Sequence, residues 1–300
     1  MASTATSLFR VDGLISVVTG GGTGIGRMIA QSLAENGAKK VYILGRRLEA
    51  LQDAASPYPA VIVPVQCDIT SKPSLQAAVD RVASEVGYVN LVVANSGIYG
   101  PAAAYDFDSV AAMRRAMFDE VAMDDFTRVF HVNVTGAFFT VYAFLELLDE
   151  GNRRAVAQGT YGRPQTEGGK VPYVQSQVIV TASIGGYLRT TGAAPAYAGS
   201  KAAVIQMAKQ AASRLAPFGI RTNIIAPGFF PSEMADSMIA HRKPEDEPFT
   251  DPDFIPAKKF GSEKEMGGTV LYLASQAGSF CNGLVLACDG GRMSVTQASY

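Results

Sequence analysis

The sequence is poor in the residues that build metal centres and disulfide frameworks. Its 300 residues include three cysteines, without a CxxC spacing, and two histidines. An odd number of cysteines without paired spacing does not make a disulfide framework, and two histidines offer little for a zinc site. We therefore expect no metal. We interpret Cys67, Cys281 and Cys288 as small buried hydrophobic residues in a reducing compartment.

The sequence also shows little net charge and no long apolar run, and from its first residues we expect no leader. Its formal net charge is −1, and its arginines form no basic cluster beyond pairs such as Arg46-Arg47, which argues against a nucleic-acid partner. No apolar run approaches the ~18 residues of a membrane span. The first residues contain no charged segment followed by an apolar one. We therefore expect a cytoplasmic protein with no membrane partner.

Short β-branched apolar runs alternate with amphipathic stretches along the chain. The runs predict strands and the amphipathic stretches predict helices. Because strands alternate with helices, the sequence predicts an α/β fold: a single-domain, doubly wound parallel sheet of about seven strands with helices on both faces. The predicted strands are residues 14–19, 41–44, 61–66, 91–95, 178–183, 220–226 and 284–288.

Two stretches interrupt this alternation. Residues 100–122 are rich in Ala, Met and Asp, and residues 150–176 are polar and glycine-rich. We interpret both as insertions in one domain spanning residues 1–300. The remaining assigned segments are an N-terminal arm (1–11), a substrate lid (228–258) and a C-terminal tail (292–300).

The turn after the first predicted strand reads TGGGTGIG, residues 19–26. It lacks the spacing G-x-G-x-x-G and fits T-G-x-x-x-G-x-G instead. Because the turn lies between a strand and a helix, its backbone N–H groups and the helix N-terminus can bind a pyrophosphate. A glycine-rich turn without a ligand is the alternative. The predicted dinucleotide contacts in this turn are Gly20, Gly22, Thr23, Gly24 and Ile25.

The end of the second predicted strand indicates which dinucleotide binds. An NAD site places an acidic residue roughly 20 residues after the glycines, but Arg46 occupies that position and no carboxylate occurs before Glu49. A guanidinium there matches the 2′-phosphate of NADP. Arg47 can share this contact or simply begin the next helix, and a solvated surface role for both arginines stays open. NADP(H) is the predicted cofactor.

The stretch AYAGSK, residues 196–201, places Tyr197 and Lys201 four residues apart. In a helix the two side chains share one face, and an ammonium group beside a phenol lowers the pKa of the phenol. The pair is therefore either a general acid–base or an ordinary surface pair. The small residues between them leave room for a cofactor and a substrate.

Further short stretches accompany this pair: ANSG (94–97), Asn133 in HVNVTG, and Ser183 in TAS. Together with AYAGSK and APG (226–228), in this order, they resemble the short-chain dehydrogenase/reductase family over about residues 12–291. The resemblance implies a Rossmann-type fold. The closing segment, residues 255–291, resembles that of the 3-oxoacyl-(acyl-carrier-protein) reductase branch. The chain length and the second insertion are similar to those of fungal secondary-metabolism reductases.

The resemblance implies a role for each matching residue. Tyr197 would be the catalytic acid–base, and Lys201 would bind the nicotinamide ribose and lower the pKa of Tyr197. Ser183 would hydrogen-bond the substrate oxygen, Asn133 would hold a water for a proton relay from the lysine, and Asp68 would meet adenine. The remaining implied cofactor contacts are Asn95, Gly97, Pro227, Gly228 and Ser232.

Two departures from the family pattern affect this assignment. The gap from Ser183 to Tyr197 is fourteen residues, one more than the family usually has, which predicts a slight bulge in the intervening loop. The common NNAG appears as ANSG, which retains Asn95.

Other candidate residues carry less signal. His131 is expected to pack or cap on a largely apolar helix, and His241, in the lid, is given little catalytic role. A set of apolar lid residues either lines a pocket or packs a mobile flap onto the body; these are Phe229, Phe230, Met234, Met238 and Phe249.

The predicted function is NADPH-dependent reduction of a ketone, with Tyr197 as general acid and a 3-oxoacyl or polyketide-type substrate among the candidates. A dehydrogenase or reductase for another secondary alcohol or ketone (polyol, sugar or steroid) stays open, as does a non-catalytic nucleotide-sensing regulator.

The expected partners are a small carbonyl or alcohol substrate and further copies of the chain. A carrier-linked substrate would need basic surface near the site, for which Arg153, Arg154 and Arg163 are candidates. The family commonly forms dimers and tetramers, and helices 123–149 and 195–216 carry apolar stretches that suit a homodimer or homotetramer interface.

Overall fold

The chain folds around one parallel sheet. The computed structural model describes residues 5–101, 108–189 and 194–296. Within these ranges seven strands pair in the order β3-β2-β1-β4-β5-β6-β7, each parallel to its neighbours. The predicted α/β class and strand number are confirmed. The strands are β1 Ile15–Thr19, β2 Lys40–Gly45, β3 Ile62–Gln66, β4 Leu91–Ala94, β5 Gln177–Thr181, β6 Arg221–Pro227 and β7 Val285–Cys288.

Helices connect the strands and cover both faces of the sheet. Their bounds are α1 Ala5–Leu8, α2 Gly24–Glu35, α3 Leu48–Ala55, α4 Lys72–Glu85, α5 Val110–Arg114, α6 Met123–Phe130, α7 Ala137–Ala143, α8 Leu145–Gln158, α9 Pro195–Leu215, α10 Asp236–Ile239, α11 Glu263–Ala274 and α12 Arg292–Val295.

Consecutive residues of the central strands enter opposite cores. Val17 of β1 packs in the core formed with α4, α7 and α9, whereas Val18 packs in the core formed with α2, α3 and α11. Leu44 and Ile43 of β2 divide in the same way, and all four side chains are fully buried. Two buried faces explain why these strands read as continuous apolar runs.

The predicted helix over residues 123–149 is interrupted. A π-helical turn, His131–Gly136, separates α6 from α7. The axis then bends by 43° between Met123–Ala143 and Leu145–Gln158, at the fully buried Phe144. No single helix in the described part of the chain is long and apolar enough to cross a membrane, although this bent pair meets that criterion by length and composition.

The two predicted insertions differ in structure. Residues 102–107 of the first lie outside the described residues, and the rest of it forms α5 and a π-helical turn, Arg115–Asp119. The segment 150–176 needs correction, because its first nine residues complete α8. The helix ends at Gly159, whose φ of 66° favours glycine, so only residues 159–176 are irregular.

All strands run the same way, so the turns that follow them meet at one edge of the sheet. The strand order reverses between β1 and β4, which opens a crevice at their carboxyl ends. A cavity of about 980 Å³ occupies this edge.

Candidate active site

The cavity at the carboxyl edge is lined by nearly all of the predicted catalytic and cofactor-binding residues. Asn133 is the exception among the predicted catalytic and cofactor-binding residues. Those that line the cavity are Gly20, Gly22, Thr23, Gly24, Ile25, Arg46, Arg47, Asp68, Asn95, Gly97, Ser183, Tyr197, Lys201, Pro227, Gly228 and Ser232.

The glycine turn is shaped to accept an anion. Gly20 and Gly24 have φ values of 67° and 50°, which non-glycine residues rarely adopt. A side chain at Gly26 would overlap the carbonyl oxygen of Gly20. Thr23, the N-cap of α2, makes no side-chain capping bond, so the first backbone N–H groups of the helix are left without a side-chain acceptor. The cradle therefore fits a pyrophosphate.

Thr19, which the sequence analysis passed over, ties β1 to the end of β4. Its hydroxyl accepts hydrogen bonds from the backbone N–H groups of Asn95 at 2.9 Å and Ser96 at 3.1 Å. The side-chain amide of Asn95 donates to the Thr19 carbonyl at 3.0 Å. These bonds fix the ANSG segment beside the glycine turn.

The two arginines after β2 differ in their contacts. The side chain of Arg46 is exposed in the cavity. Arg47 instead pairs with Glu233, in the loop after β6, at 2.7 Å and 3.3 Å. Arg47 is also the N-cap residue of α3, and the suggestion that it shares the phosphate contact with Arg46 stays a prediction.

Asp68 lines the cavity after β3. Its Oδ1 accepts hydrogen bonds from the Thr70 hydroxyl at 2.7 Å and the Thr70 N–H at 2.9 Å. These bonds lower the pKa of Asp68, and the charges of Arg46 and His131 act in the same direction. The expectation that His131 packs or caps is wrong: it is the first residue of the π-helical turn, and its side chain is exposed and lines the cavity.

Ser183, Tyr197 and Lys201 meet at the other end of the cavity. A Cβ built on Gly185 would lie 3.3 Å from Ser183 Oγ and 3.5 Å from Cε1 of the Tyr197 ring, so the serine and the tyrosine face each other across this point. Lys201 is 4% exposed, and its Nζ donates to the Thr181 carbonyl at 2.9 Å. Burial lowers the pKa of Lys201 to about 8.

The pKa of Tyr197 moves against the expectation from its neighbour. Burial raises it, and the Ser183 side chain offsets this in part. In the cofactor-free protein desolvation of the phenolate sets the direction of the shift, and the predicted lowering of this pKa by Lys201 stays a prediction. The phenol therefore keeps its proton at neutral pH.

Ser183 also organises the loop toward Tyr197. Its Oγ accepts a hydrogen bond from the Gly185 N–H at 3.0 Å and caps the 3₁₀ turn Ile184–Gly186. The predicted bulge falls partly on residues 190–193, outside the described residues.

Asn133 is buried next to this site and does not line the cavity. Its amide donates to the Ile98 carbonyl at 3.0 Å and to Ser200 Oγ at 2.9 Å, and its Oδ1 accepts from the Ile98 N–H at 2.8 Å. Both of its donors are used, so the side chain joins the segment after β4 to helix α9. The predicted role in holding a relay water stays a prediction.

Tyr99 and Arg292 are cavity residues that the sequence analysis missed. The Tyr99 ring lies 4.9 Å from the Tyr197 ring, centroid to centroid. Arg292, 5% exposed, bonds the Asp253 carbonyl at 2.9 Å and the Asp253 carboxylate at 2.5 Å. Its guanidinium lies 4.7 Å from the centre of the Phe229 ring. No local sequence signal marks either residue, because their partners are distant in the chain.

The lid candidates divide between the cavity and the surface. Phe229, Phe230, Met234 and Met238 line the cavity. Phe249 does not; it is 72% exposed and packs on Phe254. His241 is exposed and lies outside the cavity lining, consistent with its minor expected role.

The basic surface proposed for a carrier is not near the site. Arg154 binds Glu150 at 2.8 Å and the Val86 carbonyl at 3.1 Å, and Val86 precedes β4 at the opposite edge of the sheet. Arg153 pairs with Asp149 and Glu150. Arg163 does not line the cavity either. The arginine patch therefore gives no support to carrier docking.

A doubly wound sheet with a pyrophosphate cradle at one end of a cavity, and a serine, tyrosine and lysine at the other, defines an oxidoreductase that uses a nicotinamide dinucleotide. The sequence model of the enoyl-(acyl carrier protein) reductase family matches residues 20–293. The chain therefore belongs to the short-chain dehydrogenase/reductase family, and it is similar to the 3-oxoacyl-(acyl-carrier-protein) reductase branch.

Individual relatives support this family assignment. The short-chain dehydrogenase/reductase SAT3 of Stachybotrys chartarum is 53% identical over 273 residues, which cover 91% of this chain and 100% of that protein. VdtF of Byssochlamys spectabilis is 42% identical over 100% of this chain and 99% of its own. The Pseudomonas aeruginosa RhlG/NADP active-site complex superposes with a TM-score of 0.77 at 29% identity, covering 96% of this chain and 99% of that one.

Proposed function

We propose that the protein is an NADPH-dependent carbonyl reductase that transfers hydride to a ketone. One observation carries the proposal: Ser183, Tyr197 and the buried Lys201 line the same cavity as the glycine cradle and Arg46. A dinucleotide bound along this cavity would have its phosphates at one end and its reactive ring at the other.

The direction of proton transfer favours reduction. The nicotinamide supplies the hydride when it is bound, and the chain must supply the proton. Burial raises the pKa of Tyr197, so the phenol is protonated at neutral pH, as a general acid must be. Ser183 offers a second donor to the carbonyl oxygen on which negative charge develops.

Lys201 supports this chemistry through its charge. Its pKa of about 8 keeps it largely charged at neutral pH. A charged ammonium group there can bind the hydroxyls of the nicotinamide ribose and favour the phenolate that remains after proton donation.

The choice of NADP over NAD rests on the cavity end after β2. Arg46 is exposed there, and a guanidinium suits a 2′-phosphate. We expect Arg46→Gln to raise the KM for NADPH by about tenfold, the scale of one charge-assisted contact, and to leave the KM for NADH within about twofold. Equal changes for both cofactors would contradict the assignment.

The substrate proposed is a 3-oxoacyl or polyketide-type ketone. The apolar lid residues Phe229, Met234 and Met238 line the cavity, and the lid, residues 228–258, would close over an apolar substrate. A panel of 3-oxoacyl, polyketide, polyol, sugar and steroid carbonyls, ranked by kcat/KM with NADPH, tests this choice. A free thioester and its carrier-linked form belong in the same panel.

The decisive variant is Tyr197→Phe. It should bind NADPH with an unchanged Kd and lose at least ~10²-fold in kcat, the low end for general acid–base catalysis. Tyr187→Phe is the control, because Tyr187 is partly buried nearby but does not line the cavity. NADPH binding with no turnover of any carbonyl in the wild type would instead favour the nucleotide-sensing regulator.

We also propose that the chain forms a homodimer or homotetramer through α6 and α9. These helices pack against each other, and Met123 and Phe126 of α6 are 86% and 40% exposed. Covering these apolar side chains would stabilise an assembly. Light scattering on the wild type and on Met123→Glu tests this, and an unchanged monomer in both would contradict it.

A further inference from the structure

An ion pair crosses the mouth of the cofactor cleft. Arg47 follows β2, and Glu233 lies in the loop between β6 and α10, 186 positions later in the chain. The two guanidinium nitrogens of Arg47 bond the two carboxylate oxygens of Glu233 at 3.3 Å and 2.7 Å. Both residues line the cavity, with side chains 62% and 58% exposed.

The backbone holds Glu233 at this place independently of its ion pair. The preceding residue, Ser232, lies so close to the glycine turn that a Cβ on Gly24 would be 2.8 Å from the Ser232 Cβ. The Ser232 carbonyl also accepts backbone bonds from Ala235 and Asp236 at 2.9 Å. The loop is therefore folded onto the cradle, and the Glu233 carboxylate stays beside the adenosine end.

This arrangement sets a carboxylate against the phosphate that distinguishes NADP from NAD. Arg47 presents a planar fork that matches either a carboxylate or a phosphate. A 2′-phosphate must displace Glu233 from Arg47 or bind beside its negative charge, and either outcome is unfavourable. The 2′-hydroxyl of NAD meets neither cost, because it is uncharged.

We propose that Glu233 is a specificity-determining residue that competes with the 2′-phosphate for Arg47 and so limits the preference for NADP over NAD. The inference rests on the proposed use of NADP and on Arg46 as the principal phosphate contact. Arg47 contributes to phosphate binding only to the extent that Glu233 releases it. The loop after β6 thereby influences which dinucleotide the arginines after β2 select.

The test is the Kd of each reduced cofactor, measured by fluorescence titration of Glu233→Gln and wild type. The ratio of the Kd for NADH to the Kd for NADPH should rise about two- to fivefold, the range expected of an exposed ion pair. The Kd for NADH should not change. The effect should shrink at high salt, which screens exposed charges.

Asp236→Asn is the matched control. Asp236 is exposed in the same lid, and its substitution removes the same charge without touching the Arg47–Glu233 pair. The Kd ratio should stay at the wild-type value. An equal rise in the two variants would overturn the proposal in favour of a general charge effect of the lid.

The double variant Arg47→Gln/Glu233→Gln isolates the competition. In the Arg47→Gln background, Glu233→Gln should lower the logarithm of the Kd for NADPH by less than half of the decrease that it causes when Arg47 is present. An undiminished gain would overturn competition for Arg47. So would an unchanged ratio in Glu233→Gln, or a parallel rise of both Kd values, which would mean that the pair only closes the lid.

These outcomes separate this inference from the proposed function. The wild-type ratio of the two Kd values tests the use of NADP, whereas the change in that ratio on substitution tests the role of Glu233. A wild type that binds NADH more tightly than NADPH would refute the proposed use of NADP. The role of Glu233 would still be decided by the change in the Kd ratio in Glu233→Gln.

Discussion

The Nζ atom of Lys201 lies 5.6 Å from the centre of the Tyr197 ring, yet the ammonium group does not determine the protonation of the phenol. Lys201 is buried and Tyr197 is partly buried. Burial raises the pKa of Tyr197 and lowers that of Lys201, since each charged form loses its hydration. The free protein therefore holds a neutral phenol beside an ammonium group that is costly to bury.

That cost predicts a pH-dependent stability. The pKa of Lys201 is about 8 in the folded protein and 10.5 in the unfolded chain, so between these values the unfolded chain binds more protons. Stability from this group is thus lowest below pH 8 and rises with pH toward 10.5. Lys201→Met should be more stable than wild type by about 1–3 kcal/mol at pH 7, and the difference should fall by pH 10.

Urea unfolding of the cofactor-free protein at pH 7, 8.5 and 10 measures this difference. Lys209→Met, an exposed lysine of the same helix, is the control and should show no such trend. A difference that is independent of pH would refute the explanation. Lys201→Met should also lose turnover, since the ribose contact and the charge are gone.

Ser183→Ala should lower kcat/KM by about 10²–10³, the cost of removing one oxyanion donor. It should also move the alkaline limb of the pH–rate profile to higher pH, because the Ser183 hydroxyl partly offsets the raised pKa of Tyr197. Ser183→Thr retains a hydroxyl and should recover part of both effects. A kcat/KM within twofold of wild type for the alanine variant would rule out this role.

Asn133→Ala should destabilise the protein by about 1–3 kcal/mol, since it removes the partners of the Ile98 backbone N–H and carbonyl and one of the two hydrogen bonds of the Ser200 hydroxyl. It should also lower kcat, because Ser200 and Tyr197 share helix α9. The control is Asn152→Ala, which removes buried bonds to Gly219 and Ser176 at 2.9 Å and 2.7 Å. It should cost similar stability and no kcat. Loss of kcat in both would mean that destabilisation alone explains the effect.

Two glycine-to-alanine substitutions in helices should have different effects, one harmful to cofactor binding and one favourable to stability. A Cβ at Gly26 would lie 2.6 Å from the Asn95 amide nitrogen and would overlap the Gly20 carbonyl, whereas a Cβ at Gly268 meets nothing within 4 Å. Gly26→Ala should weaken NADPH binding at least about tenfold through displacement of the cradle. Gly268→Ala should stabilise the protein by about 0.4–1 kcal/mol. Isothermal titration and thermal melts measure the two effects.

Asp253→Ala should loosen the lid. Arg292 is buried and bonds both the carboxylate and the carbonyl of Asp253, so the substitution leaves its guanidinium with fewer acceptors at a cost of about 1–3 kcal/mol. Limited proteolysis within residues 228–258 should become faster and substrate KM should rise. The control is Asp246→Ala, which changes an exposed acid of the same lid and should be cleaved at the wild-type rate. Equal acceleration in both variants would contradict the proposed role of the Arg292–Asp253 contact in holding the lid.

The fold and most of the candidate site follow from local pattern. Buried strands read as apolar runs because both faces of the sheet are covered, and the turns at their carboxyl ends converge because the strands are parallel. Arg46, Ser183 and Tyr197 could therefore be placed from their positions after strands and on one helix. The break at Phe144 was not predicted, since an apolar residue at helical spacing gives no sign of a bend.

Contacts between distant segments could not be predicted in this way. The pair Arg47–Glu233 and the Arg292–Asp253 tie join residues far apart in the chain, and no periodicity reports which loop reaches which. The same reason explains the misjudged environment of His131, which lines a cavity built from segments distant in the chain.

By itself the sequence determined the parallel sheet, the glycine cradle at the start of α2 and the placement of Tyr197 and Lys201 as a pair on one helix, because each depends on the order of residues within a strand, a turn or a helix. Only the tertiary structure decided the protonation of that pair, the ion pair of Arg47 with Glu233 and the position of Asn133 outside the cavity. Desolvation and charge pairing depend on which segments pack together, and that packing is a property of the whole chain.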